Sequence, residues 1–196
     1  MKLIAYDELT ATPWKNGGGV TRELACFPAG ATMSDFIWRI SIADVSQSGP
    51  FSSFPGIDRV ITLLDGDGMQ LQFADNTRHA LVDKLTPYSF RGEAQVDAHL
   101  IDSPSRDFNL MLRRDAAHGT VEVRHASGTI EANQTTLLLF CAAGSWHVSG
   151  ADGESKNLQS GDALLLEQTI SDTMITSLDA QSALLCVRIT PAQGTQ

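Results

Sequence analysis

The sequence predicts an all-β protein in which two β-barrels follow one another in a single chain. Three observations support this fold class: scarce helical periodicity, many short alternating segments, and a weak internal repeat. No window of a dozen residues keeps apolar positions three and four residues apart without a glycine, a proline or a β-branched cluster. Short strands separated by closely spaced turn signals are typical of sandwiches and barrels.

The clearest strand signals lie in the first half of the chain. Apolar and polar residues alternate over residues 36–43, which places Arg39 and Ser41 on the face opposite the aromatic residues. Residues 60–64 and 69–73 are also strand-like, and the Asp-Gly-Asp-Gly sequence between them tolerates positive φ. We therefore predict that these two strands form a β-hairpin.

A weak internal repeat divides the chain into two halves. Three pairs of segments recur in the same order, with an offset of about 75 residues: 61–66 and 137–142, 82–88 and 157–164, and 109–113 and 184–188. We predict a first barrel over residues 1–116 and a second, degenerate barrel over residues 117–196. Chance similarity among β-rich segments is the alternative explanation.

The composition favours a globular protein whose partner is a small molecule. Hydrophobic residues make up 42% of the 196 residues, which is enough to fill the cores of two small domains. The formal net charge of −9 argues against nucleic acid and anionic membrane as partners, since both need a basic surface. A small anionic ligand is compatible with this charge, because a few buried cations are enough to bind it.

Other features predict a cytoplasmic protein. No apolar run has the length of a transmembrane helix, and residues 1–8 lack the apolar core and cleavage site of a signal peptide. Cys26, Cys141 and Cys186 are odd in number and lie among apolar residues. We interpret them as buried thiols in a reducing compartment rather than as a disulfide framework.

Three consecutive glycines follow Lys15 and Asn16. Such a run permits a sharp turn and a close approach of the backbone to a ligand. It is not a phosphate-binding loop, because the lysine precedes the glycines and no helix pattern follows them. A flexible turn into an edge strand is the alternative interpretation.

Charged and polar side chains lie among apolar strand residues in four segments of the first half. Such residues either face solvent or line a polar cavity. Because a barrel would bring the four segments together, we predict that most of them converge on one ligand-binding pocket, with Asp58 paired to an arginine. The candidate set is Lys15, Asn16, Glu23, Arg39, Ser41, Asp58, Arg59, Asn109 and Arg113.

Ordered motifs over roughly residues 1–115 resemble the HutD/Ves family. They are the Trp-Lys-Asn-Gly-Gly-Gly run of residues 14–19 with Thr21 and Glu23, and the segments 38–45, 49–59 and 107–111. The resemblance implies two fused double-stranded β-helices of the cupin or jelly-roll type, a bicupin without a metal. It also implies a link, in part of the family, to histidine utilisation, with N-formylglutamate or a related acid as ligand. Other members are known as stress-associated proteins, and no enzymatic activity is established for the family.

Metal binding is not expected. Cupins usually hold a metal through a His-x-His pair, a glutamate and a later histidine. The corresponding segment, residues 51–59, contains no histidine, and the five histidines of the chain are scattered. We therefore predict neither a metal nor another cofactor.

The favoured function is binding of a small acidic metabolite by a regulator or metabolite buffer linked to amino-acid catabolism. Arginine suits such a ligand because it pairs bidentately with carboxylates. A cofactor-free isomerase or hydrolase is the first alternative, with Glu23 or Asp58 as general base and Lys15 or an arginine as electrophile. A carboxylate held beside several cations is a weak base, which disfavours an enzyme. An interaction scaffold without ligand is the second alternative, and a homodimer is left open.

The second half offers fewer candidates for chemistry. Residues 145–147, Ser-Trp-His, follow a glycine turn and are placed where they could line a pocket. We interpret Trp146 as barrel packing and the second barrel as structural.

Overall fold

The computed structural model describes residues 1–133, 135–167 and 171–192, and within these ranges the chain forms nineteen strands and one 3-10 turn (Tyr6–Glu8). The strands before residue 117 are β1 (Lys2–Ile4), β2 (Ala11–Pro13), β3 (Gly19–Phe27), β4 (Trp38–Val45), β5 (Gly49–Pro50), β6 (Ile57–Asp65), β7 (Met69–Phe73), β8 (Arg78–Leu81), β9 (Tyr88–Arg91), β10 (Val96–Leu100) and β11 (Ser105–Arg113). Those that follow are β12 (Ala117–Arg124), β13 (Gly128–Ile130), β14 (Thr136–Ala143), β15 (Ser145–Gly150), β16 (Ser155–Gln159), β17 (Ala163–Leu166), β18 (Thr173–Ser177) and β19 (Ala183–Pro191). The predicted all-β class is confirmed. In the described ranges no helix has the length and apolar character needed to cross a membrane.

The chain divides into two compact units. The first barrel consists of Thr10–Ala117 with Ala192, and the second consists of His118–Pro191 with Met1–Leu9. The expected division placed the first nine residues in the first barrel, and the structure corrects this. Strand β1 pairs antiparallel with β17 of the second barrel, and the Tyr6 amide donates a 3.0 Å hydrogen bond to the Asp162 carboxylate. A three-residue strand has too little pattern to predict its partner.

Each barrel is made of two sheets, and the sheet order repeats. The first barrel has a six-stranded sheet, β2-β3-β4-β11-β6-β9, and a four-stranded sheet, β5-β10-β7-β8. The second has a five-stranded sheet, β1-β17-β14-β19-β12, and a four-stranded sheet, β13-β18-β15-β16. Strands β5 to β11 therefore occupy the same positions in the first barrel as β13 to β19 occupy in the second. This topology is the structural counterpart of the weak sequence repeat.

The predicted hairpin over residues 60–73 is wrong. Strand β6 pairs with β9 and β11, whereas β7 pairs with β8 and β10 in the other sheet. The glycine turn between them carries the chain from one sheet to the other. Gly68 has φ +85°, and a Cβ there would lie 2.0 Å from the Leu81 carbonyl oxygen. The local sequence of such a crossing resembles a hairpin turn, because both require positive φ between two strands.

The glycine run after Asn16 closes the hairpin of β2 and β3. The Asn16 side-chain oxygen accepts a 3.0 Å hydrogen bond from the Gly18 amide. At Gly19 a Cβ would lie 2.4 Å from the Asp44 carbonyl oxygen, so the run lets β3 approach the backbone of β4 closely. These contacts support the interpretation of a turn into a strand.

Gly161 provides a test of how the N-terminal segment packs on the second barrel. Gly161 has φ +96°, and a Cβ there would lie 2.9 Å from Cγ of Tyr6. Gly153 has a similar φ of +84°, but nothing lies within 4 Å of its Cβ position. We expect Gly153→Ala to lose about 1–2 kcal/mol of unfolding free energy through backbone strain. Gly161→Ala should lose at least about 1 kcal/mol more through overpacking. Urea denaturation measures both variants, and equal losses would contradict this packing.

Candidate functional site

The inward face of the six-stranded sheet brings together polar residues from four strands. Glu23 on β3 stands opposite Ser41 on β4, and Ser41 stands opposite Asn109 on β11. Met111 on β11 stands opposite Arg39 on one side and opposite Arg59 of β6 on the other. Residues directly opposite one another in adjacent strands point to the same face of the sheet. The registers therefore place these side chains on one face of one barrel.

The same face of the second barrel is apolar. There β14 and β19 contribute Leu137, Leu139, Cys141, Leu184 and Cys186 to a continuous core, which Trp146 completes from β15. Trp146 is fully buried, so its predicted role in barrel packing is confirmed. Because an apolar interior is sufficient for this topology, the polar groups of the first barrel are not a requirement of the fold.

Arg59 is the central cation of the first barrel. The residue is only 9% exposed, and its Nη2 donates a 3.0 Å hydrogen bond to Oδ1 of Asn109. The guanidinium carbon lies 5.3 Å, 5.8 Å and 4.9 Å from the ring centroids of Phe51, Phe54 and Phe90. These aromatic faces attract a cation but do not neutralise its charge.

The Arg59 guanidinium is also incompletely satisfied. Its Nε is buried and has no hydrogen-bond partner among the described residues, and none of their carboxylates lies within 4.0 Å of its nitrogens. Burial lowers the pKa of Arg59 to about 10, and the charge of Arg39 acts in the same direction. Asp107 opposes the shift through its negative charge. At neutral pH Arg59 is thus a buried cation without a direct counterion in the described part of the chain.

Asp107 is the buried acid of the same barrel. Asp107 lies two residues before Asn109 on β11, so both side chains point to the inward face of the sheet, and Asp107 is fully buried. Its Oδ1 accepts a 3.1 Å hydrogen bond from Oγ of Ser105, whereas Oδ2 has no partner in the described ranges. Burial raises the pKa of Asp107 to about 7, Asp44 contributes in the same direction, and Ser105 and Arg59 oppose the shift.

Arg39 and Glu23 form the more exposed part of this cluster. Arg39 Nε donates a 2.8 Å hydrogen bond to Oε2 of Glu23, and its Nη1 donates one of 3.3 Å to Oγ of Ser41. The Arg39 side chain is 14% exposed and that of Glu23 is 40% exposed. Cys26, opposite Arg39 on β3, is half-buried rather than buried as expected, and burial and Glu23 raise the pKa of its thiol.

We call this cluster the arginine site. It comprises Glu23, Arg39, Ser41, Arg59, Asp107 and Asn109, with the rings of Phe51, Phe54 and Phe90 around Arg59. Five of its members belong to the set predicted from the sequence. Together they offer two guanidinium groups, one neutral amide, one hydroxyl and two carboxyl groups, of which that of Asp107 is fully buried.

Four predicted residues lie outside the arginine site. Lys15 and Asn16 are exposed in the turn between β2 and β3. Asp58 does pair with an arginine, but its partner is Arg114, at 2.8 Å, which also binds Glu93 at 2.9 Å. Asp58 neighbours Arg59 on β6, and adjacent strand residues point to opposite faces.

Arg113 binds backbone carbonyl groups outside the arginine site. Its Nε donates a 3.1 Å hydrogen bond to the carbonyl oxygen of Phe36, and its Nη2 donates one of 3.1 Å to that of Ser34. Arg113 is on the same face of β11 as Asn109, but it lies at the end of the strand, where it binds the loop that precedes β4.

Sequence reasoning missed Asp107 and the three phenylalanines. For Asp107 a signal existed, because it is two residues from Asn109 and so shares its strand face. Phe90 stands directly opposite Arg59 in the pairing of β6 and β9, which only the three-dimensional register reveals. Phe51 and Phe54 lie in the connection before β6, whose path the sequence does not specify.

No three side chains of His, Cys, Asp or Glu in the described ranges lie together in a way that could hold a metal ion. The arginine site itself contributes two carboxyl groups and two cations, and cations repel a divalent metal. The expectation that the protein uses no metal remains a prediction.

The HutD family model matches residues 6–186 of the chain. A Pseudomonas putida protein described as an uncharacterized 21.2 kDa protein in the hutC 3′ region is 35% identical over 167 residues, which make up 85% of this chain and 87% of that protein. Protein Ves of Escherichia fergusonii is 38% identical over 149 residues, 76% of each chain. The family match thus extends through both barrels.

Solved structures also match the chain over almost its full length. A conserved protein of unknown function from Pseudomonas aeruginosa PAO1 superposes with a TM-score of 0.88 at 29% identity, covering 96% of this chain and 97% of that one. HutD from Pseudomonas fluorescens SBW25, described as the formate condition, superposes with a TM-score of 0.83 at 32% identity. The match covers 97% of this chain and 98% of that one. A cupin 2 conserved barrel domain protein from Leptotrichia buccalis superposes with a TM-score of 0.62 at 9% identity, covering 97% of this chain and 96% of that one. At this identity the similarity shows only that the two proteins share a fold. The predicted cupin or jelly-roll fold is confirmed.

Proposed function

The chain belongs to the HutD family, and we propose that its first barrel binds a small carboxylic acid through Arg59. The observation that carries this proposal is a buried guanidinium without a counterion among the described residues. Burying an unpaired charge is strongly unfavourable, and an anion that pairs with it removes that penalty. A carboxylate matches the fork of an arginine in shape and charge.

The neighbouring groups suit an acidic ligand as well. Arg39 adds a second cation at the more exposed side, although Glu23 neutralises part of its charge. Ser41 and Asn109 add neutral hydrogen-bonding groups on the same face. The phenylalanine rings around Arg59 exclude water and so strengthen an ion pair formed there.

We infer that the ligand is a metabolite of amino-acid catabolism and that the protein acts as its sensor or buffer. Relatives are described as HutD and as a protein in the hutC 3′ region, in keeping with the link to histidine utilisation that the sequence resemblance implies. N-formylglutamate is a candidate because it combines two carboxylates with an amide. The expectations of a cytoplasmic location and of a small acidic partner stay predictions.

One observation supports the enzyme alternative. Asp107 is a carboxyl whose pKa lies near neutrality, which is what a general acid or base requires. Of the bases first considered, Asp58 pairs with Arg114 and Glu23 pairs with Arg39. Of the electrophiles, Lys15 is exposed outside the site, whereas Arg39 and Arg59 lie within it. Turnover of acyl amino acids by the parent, lost in Asp107→Asn, would establish this second function.

Carboxylate dependence provides the direct test of the proposed function. We expect formate, glutarate and N-formylglutamate to raise the melting temperature, and the neutral analogues formamide and glutaramide to leave it unchanged. A ligand at a hundredfold excess over its dissociation constant stabilises the folded state by about 2.7 kcal/mol. Equal effects of the acids and their amides, or no effect of any of them, would contradict carboxylate binding.

A further inference from the structure

Two polar atoms of opposite character remain without partners on the inward face of the six-stranded sheet of the first barrel. Arg59 Nε is a donor, Asp107 Oδ2 is an acceptor when ionised, and both are buried with no hydrogen-bond partner among the described residues. Buried polar atoms are satisfied in most folded proteins, and an unsatisfied one needs an explanation. Here two of them occur in one barrel interior.

Hydrogen bonds among the described residues engage several other polar atoms of this interior. Asn109 Oδ1 accepts from Arg59, Ser105 donates to the other oxygen of Asp107, and Arg39 donates to Glu23. Arg59 and Asp107 do not satisfy each other, because no nitrogen of Arg59 lies within 4.0 Å of an Asp107 oxygen, although their charges interact. Arg59 Nε is therefore a buried donor, and Asp107 Oδ2 a buried acceptor, that a guest would have to satisfy.

A ligand whose only polar group is a carboxylate would satisfy only one of these two atoms. It would accept from Arg59 Nε, but it would add a negative charge near the Asp107 carboxylate and leave Oδ2 without a donor. Like charges close together are unfavourable in a buried setting. A guest that carries both an acid and an N–H or O–H group would satisfy both atoms.

We propose that the arginine site selects carboxylic acids that also carry an N–H or O–H donor, with the acid on Arg59 and the donor on Asp107. This inference rests on the proposed function, since it names the class of acid that the same site prefers. Hydroxy acids and N-acyl amino acids belong to this class, whereas simple alkyl acids do not. Asp107 is the residue that determines the specificity.

Matched pairs of acids test this selectivity. Lactate and propionate, and likewise 2-hydroxyglutarate and glutarate, differ only by one hydroxyl group. Calorimetric titration at pH 8, where Asp107 is largely ionised, should give about tenfold to a hundredfold tighter binding of the hydroxy acid in the pair whose length fits, because a hydrogen bond to a charged group contributes that much. The Asp107→Leu variant, which removes the acceptor at similar volume, should bind both members of the pair equally.

The outcomes separate this inference from the proposed function. If both members of each pair bind the parent with equal affinity, carboxylate binding stands and the donor selectivity is overturned. If the preference persists in Asp107→Leu, the assignment to Asp107 is overturned. If no acid binds, both proposals fall. Should Asp107→Leu not fold, the titrations of the parent alone decide whether the selectivity exists.

Discussion

Replacing Arg59 with methionine is expected to abolish carboxylate binding without weakening the unliganded fold. Loss of one partner of a desolvated charge pair typically reduces binding by about 2–5 kcal/mol, a loss of roughly thirtyfold to more than a thousandfold in affinity. In the unliganded protein the same guanidinium is buried without a counterion among the described residues. Removing an unpaired buried charge relieves its desolvation cost, which offsets the loss of the hydrogen bond from Arg59 to Asn109. Calorimetry with glutarate and urea denaturation measure the two effects.

Arg113→Met is the matched control for this variant. Arg113 lies on the same sheet but donates to the backbone carbonyls of Phe36 and Ser34. We expect it to lose about 1–3 kcal/mol of stability through its unsatisfied carbonyls and to bind glutarate like the parent. A variant pair that behaves in the opposite way, with binding lost at Arg113 and kept at Arg59, would remove the basis for the arginine site.

Replacing Asp107 with asparagine is expected to make the protein more stable, and by a larger amount at pH 8 than at pH 5. Burial raises the pKa of this carboxyl from 3.8 to about 7. Between these values the folded protein holds a proton that the unfolded chain has released, so the stability of the parent falls as the pH rises through that window. Above pH 7 the loss reaches roughly 4 kcal/mol, since each pKa unit corresponds to about 1.4 kcal/mol. Asparagine has the shape of the neutral acid and does not ionise.

Asp97→Asn serves as the control, because Asp97 is exposed on β10. Its stability should follow that of the parent at both pH values. Chemical denaturation of the three proteins at pH 5 and pH 8 gives the comparison. Parallel changes in the parent and in Asp107→Asn would show that the buried carboxyl does not govern the pH dependence.

Strand alternation explains why much of the arginine site could be predicted from the sequence. Arg39 and Ser41 share a strand face by parity alone, and the apolar residues between them mark the opposite face. The same rule places Asp58 and Arg59 on opposite strand faces and places Asp107 and Asn109 on the same face. Strand alternation alone is therefore enough to exclude Asp58 from the site and to include Asp107. Parity specifies a face, but it does not specify how far along the barrel a residue lies. Arg113 therefore satisfied the rule and still lies outside the site.

The features that the sequence could not provide are long-range. Residues 60–73 look like a hairpin because the glycines between the two strands allow either a return or a crossing. Only the pairing of β6 with β11, some fifty residues away, selects the crossing. The partner of β1 is equally hard to predict from local sequence, since β17 lies near residue 164, at the other end of the chain. Local pattern thus predicted the class and the repeat, while the connections depend on contacts between distant segments.

Nuclear magnetic resonance of the arginine Nε–H groups tests the central claim most directly. The Nε–H resonance of Arg59 can be assigned as the signal that is missing from the Arg59→Met variant. Titration with glutarate should shift this resonance in a saturable way, and glutaramide should not, because the account places the carboxylate on Arg59. Saturable binding of glutarate that leaves the Arg59 resonance unchanged would contradict the account.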